Sequence, residues 1–169
     1  MPGGGGFTRS VCVDEFTFNA DGSIPRVINT VEGVKPVGTL NPYIRQEAET
    51  IAWEKGVETE TSDVTDVYVT DIDNGDYINV RNVDFGKGAA SFTASMVPVA
   101  TGGSIEIRLD SLSGNLLGTC SVKNSAGPGH WETQSCKVSR TKGIHDVFFV
   151  FKGGQGDLFH FDWWKFNAR

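Results

Sequence analysis

With 169 residues, 21 glycines, 21% charged residues and a net charge of −6, the chain is turn-rich and long enough to bury one sizeable core. Its acidic balance disfavours nucleic acid and anionic membrane as partners, and no run reaches the roughly 18 apolar residues of a spanning helix. Met1-Pro2-Gly3-Gly4-Gly5-Gly6 has neither the charged start nor the apolar run of a signal peptide. A mature secreted protein, an excised fragment and a cytosolic protein all remain open.

Residues 1–43 read apart from the rest. Val11–Phe18 and Ile24–Ile28 flank the turn Asn19-Ala20-Asp21-Gly22, which predicts a β-hairpin. Gly33–Pro42, with two prolines and two glycines, reads as a connector. A lone hairpin is marginal in water, so this one has to dock on the main domain or belong to a missing partner. Glu47–Lys55 is the one helix-prone stretch, and it stops at Gly56.

Strand signals dominate from there. Tyr68–Asp73 and Asp76–Val80 flank Asn74-Gly75, which predicts a hairpin with a type I′ turn. Ser91–Val97, Leu116–Val122, Glu132–Val138 and Val147–Phe151 are β-branched or aromatic runs of strand length. Ser104-Ile105-Glu106-Ile107-Arg108-Leu109 alternates strictly, as a half-buried strand does. Gly86-Lys87-Gly88, Gly102-Gly103, Ser113-Gly114-Asn115 and Gly127-Pro128-Gly129 punctuate these runs. Many short strands at this spacing predict an all-β sandwich or jelly roll.

The closing run Leu158–Phe166 combines phenylalanines and tryptophans with one histidine and one carboxylate. Strict alternation would place Phe159, Phe161 and Trp163 on one face and His160, Asp162 and Trp164 on the other. A core strand with a solvated Asp162 and a strand that meets a ligand, a metal or a second sheet both fit that pattern. Cys120 and Cys136 lie in two strand-like runs separated by Lys123–Trp131. As spatial neighbours they could form a disulfide; otherwise they are two buried thiols. Cys12 is left over, and no Cys-x-x-Cys spacing suggests zinc or redox chemistry.

Catalytic motifs are scarce. The chain has no Gly-x-Ser-x-Gly, no His-Glu-x-x-His, no Walker loop and no Gly-x-Gly-x-x-Gly after a strand. Asp71–Asp76 superficially matches a calcium loop, but its Gly stands fifth and Asn82 occupies the twelfth place. His130, His145 and His160 are far apart, and no carboxylate spacing singles out a general acid and base. Nothing makes a positive case for an enzyme.

Six pieces, in order, carry a family resemblance. They are Glu47-Ala48-Glu49, Gly56–Glu60, Asp71-Ile72-Asp73-Asn74-Gly75-Asp76-Tyr77, Ile105–Asp110 followed by Leu116-Leu117-Gly118, Trp131, and Leu158–Phe166. They resemble the opening acidic strand, the segment after it, the "IDNGDW" hairpin, the central "IELRLD…LLG", the "GWQTW" loop and the closing "LFNFDWF" of family 6 carbohydrate-binding modules. The resemblance spans residues 44–169. Residues 1–43, around Arg9-Ser10-Val11-Cys12 and Asn19–Pro25, resemble the last strands of family 43 glycoside hydrolase catalytic domains.

The resemblance implies a non-catalytic β-sandwich that binds plant cell-wall glycan, xylan or arabinoxylan foremost. It further implies a secreted, extracellular monomer tethered to a glycoside hydrolase of arabinofuranosidase or xylosidase type, with no nucleic acid or membrane partner. The alternative is a degenerate module that spaces its hydrolase without binding sugar. A structural calcium is implied at Glu47, Glu49 and Asp162; oxygen ligands suit that hard cation. In the implied sugar cleft, Trp131 is a stacking platform, Glu60 the hydrogen-bonding acid, and His160 stands where the family has Asn. Asp71 replaces the usual second platform. Tyr68 is the nearest aromatic, but three residues away along a strand it is expected to point to the opposite face. Tyr77 marks the concave sheet face as the other implied binding surface.

Overall fold

A computed structural model describes residues 13–28, 30, 34, 38–64, 66–99, 102–123 and 129–168. They fall into two units, Met1–Val37 and Gly38–Arg169. In the first, the predicted turn is present: the Asn19 N–H donates to Ser23 O at 3.0 Å and the Gly22 N–H to Asn19 O at 2.9 Å. The Thr30 hydroxyl donates to the Asp14 carboxylate at 3.1 Å, so the two arms return to each other. The described arms, however, carry no strand ladder. Cys12 lies outside the described residues.

The second unit is a two-sheet sandwich. One sheet holds β3 (Glu58–Ser62), β4 (Asp66–Thr70), β11 (Phe159–Ala168), β6 (Ala89–Pro98) and β9 (Glu132–Lys137) in that order, with β1 (Gln46–Glu47) also on β11. The other holds β2 (Trp53–Lys55), β5 (Tyr77–Asp84), β10 (Ile144–Gly153), β7 (Gly103–Leu109) and β8 (Leu116–Val122). Every strand pair is antiparallel. Successive strands mostly alternate between the sheets, as in a jelly roll. Residues 40–43, read as connector and domain edge, are already built in. Leu40 bridges Val83, and the Phe166 N–H donates to Pro42 O at 2.7 Å.

Two local expectations fail for a shared reason. Glu47–Lys55 forms no helix; its ends are taken as strands by Trp163 and Asn79, partners far away in sequence. Pairing with an existing sheet overrides weak local propensity. Asn74-Gly75 does turn the chain, with the Asp76 N–H donating to Asp73 O at 3.1 Å, but only Gly75 has a positive φ, 100°. A type I′ turn needs positive φ at both central residues. The turn instead carries the chain from β4 in one sheet to β5 in the other.

The core is aromatic and lies between the sheets. Phe149 of β10 meets Phe161 at 6.1 Å and 84°, and Trp164 at 5.1 Å and 59°. Phe85 meets Phe166 edge to face at 5.0 Å, and Phe151 meets Phe159 at 5.6 Å. Strict alternation along β11 is broken here. The register with β6 shifts between Phe161 and Trp163, leaving Asp162 as the extra residue of a bulge. Phe159 and Phe161 therefore face the core before it, and Trp164 and Phe166 after it. Trp163 turns outward beneath the Arg45 guanidinium, 5.5 Å from its ring centroid. Phe149→Ala, at the centre of this cluster, should cost about 3–5 kcal/mol in urea unfolding.

Candidate functional site

A cleft of about 320 Å³ opens at one end of the six-stranded sheet, lined by Ser62, Tyr68, Val97, Pro98, Trp131 and His160 among others. Three rings from three segments form its walls. Tyr68 of β4 stacks on His160 of β11, centroids 4.9 Å apart at 28°. Trp131, which leads into β9, meets Tyr68 edge to face at 5.5 Å and 70° and lies 6.5 Å from His160. Tyr68 is 8% exposed, so it forms the back wall, whereas Trp131 is only half-buried and offers a ring face. The expectation that Tyr68 points away from the cleft is overturned. Strand parity does not carry from Asp71 to Tyr68, because β4 ends at Thr70.

Hydrogen bonds hold these rings. The Tyr68 hydroxyl donates to Glu60 Oε2 at 2.8 Å, across the β3–β4 register that sets Glu60 opposite Tyr68. That bond, aided by burial, raises the phenol above the ordinary tyrosine range. His160 Nε2 lies 3.3 Å from Asp157 Oδ2, and Asp157 Oδ1 accepts the Ile72 N–H at 3.2 Å. Asp157 was not anticipated; its one signal is its place three residues before His160, at the end of the glycine-rich run. Ser62 at the end of β3 was also missed.

Four of the six expected sugar-site residues thus gather: Trp131, His160 and Tyr68 in the walls, with Glu60 bonded behind Tyr68. Asp71 and Tyr77 do not join them. Asp71 is exposed beyond the end of β4, with φ 52°. Tyr77 lies on the other sheet, packed against Phe148 at 6.1 Å. Its neighbour strand β2 presents Trp53, 66% exposed.

The expected metal ligands divide differently. Glu47 is clamped by Arg45, with Nε to Oε1 at 2.9 Å and Nη2 to Oε2 at 2.8 Å. The same Nη2 reaches Asp162 Oδ1 at 3.5 Å. Glu49 lies in the turn after β1, so i, i+2 strand alternation does not pair it with Glu47. Its Oε2 is enclosed without a hydrogen-bond partner. Burial raises the Glu49 carboxyl, and the charges of Glu47, Asp162 and Asp66 add to the rise. Burial likewise raises Asp162, against the pull of Arg45. Among the described residues no three acidic, histidine or cysteine side chains already converge as a ligand set. An orphaned carboxylate oxygen beside a second buried carboxylate is nonetheless a setting that a hard cation suits. Glu49 and Asp162 fit such an ion; Glu47 is held by Arg45.

A β-sandwich with an aromatic, polar-edged cleft at its loop end defines a small-ligand binding module. A ring face serves the apolar C–H face of a sugar, and polar groups beside it serve its hydroxyls. Residues 47–168 match the model of the carbohydrate binding module (family 6). The chain belongs to that non-catalytic family. It is 44% identical over 173 residues to an arabinoxylan arabinofuranohydrolase of Bacillus subtilis, covering 99% of this chain and 34% of the relative. A solved family 43 arabinoxylan arabinofuranohydrolase from Bacillus subtilis, in complex with cellotetraose, superposes with TM-score 0.86 at 45% identity, over 92% of this chain and 33% of that one. A family 6 module from Clostridium cellulolyticum, in complex with xylose, superposes with TM-score 0.73 at 41% identity, over 76% of this chain and 100% of that one. The chain thus spans between about a quarter and a third of the length of the two arabinoxylan arabinofuranohydrolases it matches.

Tyr68→Phe keeps the ring stack and removes the bond to Glu60, so it should cost about 0.5–1.5 kcal/mol of stability in urea titration. Tyr68→Ala, which empties the back wall, should cost more than about 3 kcal/mol.

Proposed function

We propose that the cleft at Trp131 and His160 holds a xylan or arabinoxylan chain and thereby keeps an attached family 43 hydrolase at its polymer. The observation that carries this reading is the meeting of Tyr68, Trp131 and His160 around one polar-edged cleft. At 5.5 Å and edge to face, Trp131 and Tyr68 do not leave the roughly 8 Å that two contact distances around a sugar ring require. The sugar then stacks on one face of Trp131, and its hydroxyls meet His160, Asp157 and Ser62 at the rim. Glu60 acts through Tyr68, holding the wall upright. The xylose bound by the Clostridium cellulolyticum module and the arabinoxylan named for the Bacillus subtilis relative support the glycan class.

Binding of this kind does no chemistry. A tethered catalytic domain gains effective concentration at its polymer. Because plant cell-wall glycan lies outside cells, the protein would work as a secreted monomer. A calcium ion held by Glu49 and Asp162 would relieve the enclosed Glu49 oxygen and the buried Asp162 carboxylate, and would lock the turn after β1 to the bulge of β11.

Affinity electrophoresis in gels containing arabinoxylan, xylan or β-glucan tests the glycan reading. Retardation by arabinoxylan or xylan should weaken about tenfold or more in Trp131→Ala and persist in Tyr77→Ala. Loss in Tyr77→Ala instead would move binding to the sheet face, and no retardation by any glycan would favour a spacer module. For the metal, saturating calcium should raise Tm by about 5 °C or more over the chelated protein. Glu49→Gln should lose that increment. An unchanged Tm together with no calcium by metal analysis would contradict the assignment.

A further inference from the structure

We propose that Cys120 and Cys136 form a disulfide that ties the two sheets together and pins the base of the loop carrying Trp131. The two cysteines lie on strands that open opposite sheets at the same side of the sandwich. β8 ends the five-stranded sheet and β9 ends the six-stranded one. The strands run side by side without joining a common ladder. The Ser139 N–H donates to Leu117 O at 2.7 Å. Gln134 clasps the far end, its Nε2 donating to Lys123 O at 2.7 Å. Between these two ties, three residues along β8 from Leu117 stands Cys120, and three residues back from Ser139 stands Cys136.

Gly118 makes this approach close. A Cβ there would sit 2.7 Å from Lys137 O and 3.2 Å from Val138 Cγ1. Cys120 is fully buried and Cys136 half-buried, and the structure carries both as thiols. The two thiols are close enough to perturb each other's acidity. The Cys120 thiol and the Phe92 N–H lower the Cys136 thiol, while the neighbouring Cys136 thiol, and then burial, push Cys120 up. Cys136, the more accessible of the two, is therefore the first to meet an oxidant in solution.

Oxidation balances with a small-molecule disulfide such as oxidised glutathione. The Cys136 thiolate attacks one of its sulfurs and releases one glutathione thiolate. The Cys120 thiolate, formed as its proton is lost to solvent, then attacks the Cys136 sulfur of the mixed disulfide and releases the second. Two protein thiols are oxidised and one glutathione disulfide is reduced. The bond closes the segment between the two cysteines, which contains Lys123–Trp131, and joins the two exposed sheet edges.

The test uses the full chain carrying Cys12→Ser, equilibrated with reduced and oxidised glutathione and alkylated in denaturant. Mass spectrometry should find no alkyl group on either cysteine and one peptide linked through Cys120–Cys136. Reduction should lower Tm by about 5 °C or more and speed amide exchange in residues 123–135 more than in β10. Cys136→Ser, and separately Cys120→Ala, should match the reduced protein and be indifferent to reductant. Two alkylated thiols after oxidation would overturn the disulfide. A linked pair whose reduction leaves exchange in 123–135 unchanged would overturn the pinning of the loop. Neither readout depends on glycan binding.

Discussion

The bulge at Asp162 is the constraint on which the rest of this sandwich depends. β11 is the central strand of its sheet, and one residue too many there reverses side-chain parity halfway along. Before the bulge Phe159 and Phe161 fill the core; after it Trp164 and Phe166 do. The outward positions are then His160 on one side and Trp163 on the other, so a single strand serves two different surfaces. The edge of β11 is shared in the same way. β4 pairs at Phe161, and β1 pairs at Trp163 and Trp164, with Ala48 N–H donating to Asp162 O at 2.8 Å between them. Two short strands thus lie end to end along one long one, and the bulge sits at their junction.

That junction separates two kinds of chemistry within a few residues. Toward the loop end, His160 joins Tyr68 and Trp131 in an aromatic cleft whose nearby carboxylates, Glu60 and Asp157, already have partners. At the bulge, Glu49 has an oxygen without a hydrogen-bond partner, and Asp162 lies buried with Arg45 as the nearby cation. Buried charge without full compensation costs stability.

Much of the fold was legible in the residues. Strict alternation marked Ser104–Leu109 and the β-branched runs marked β6, β8 and β9 nearly to their ends, while Val147–Phe151 caught only the middle half of β10. What local pattern could not show was partnership. Asn74-Gly75 was read correctly as a turn, yet the strands it joins lie in different sheets. The reversal at Asp162 was equally hidden, since a bulge answers to the neighbouring strands and not to its own composition. The site follows the same division. Trp131, His160 and Glu60 are marked by resemblance, while the facing of Tyr68 is hidden because strand parity stops at Thr70, the end of β4. Asp157 carried almost no signal, and Glu47 was drawn off by Arg45, a short-range pair that only the folded chain displays.

The claim that the loop-end cleft, and not the sheet face, receives the glycan can be examined through the four tryptophans. Their indole N–H groups report separate places: Trp131 in the cleft, Trp53 on the five-stranded sheet beside β5, Trp163 under Arg45 and Trp164 in the core. In an NMR titration with a xylo-oligosaccharide, the account predicts a saturable shift of the Trp131 indole resonance, with Trp53 unmoved. A shift of Trp53 with Trp131 unmoved, or no shift of any indole at millimolar sugar, would contradict it.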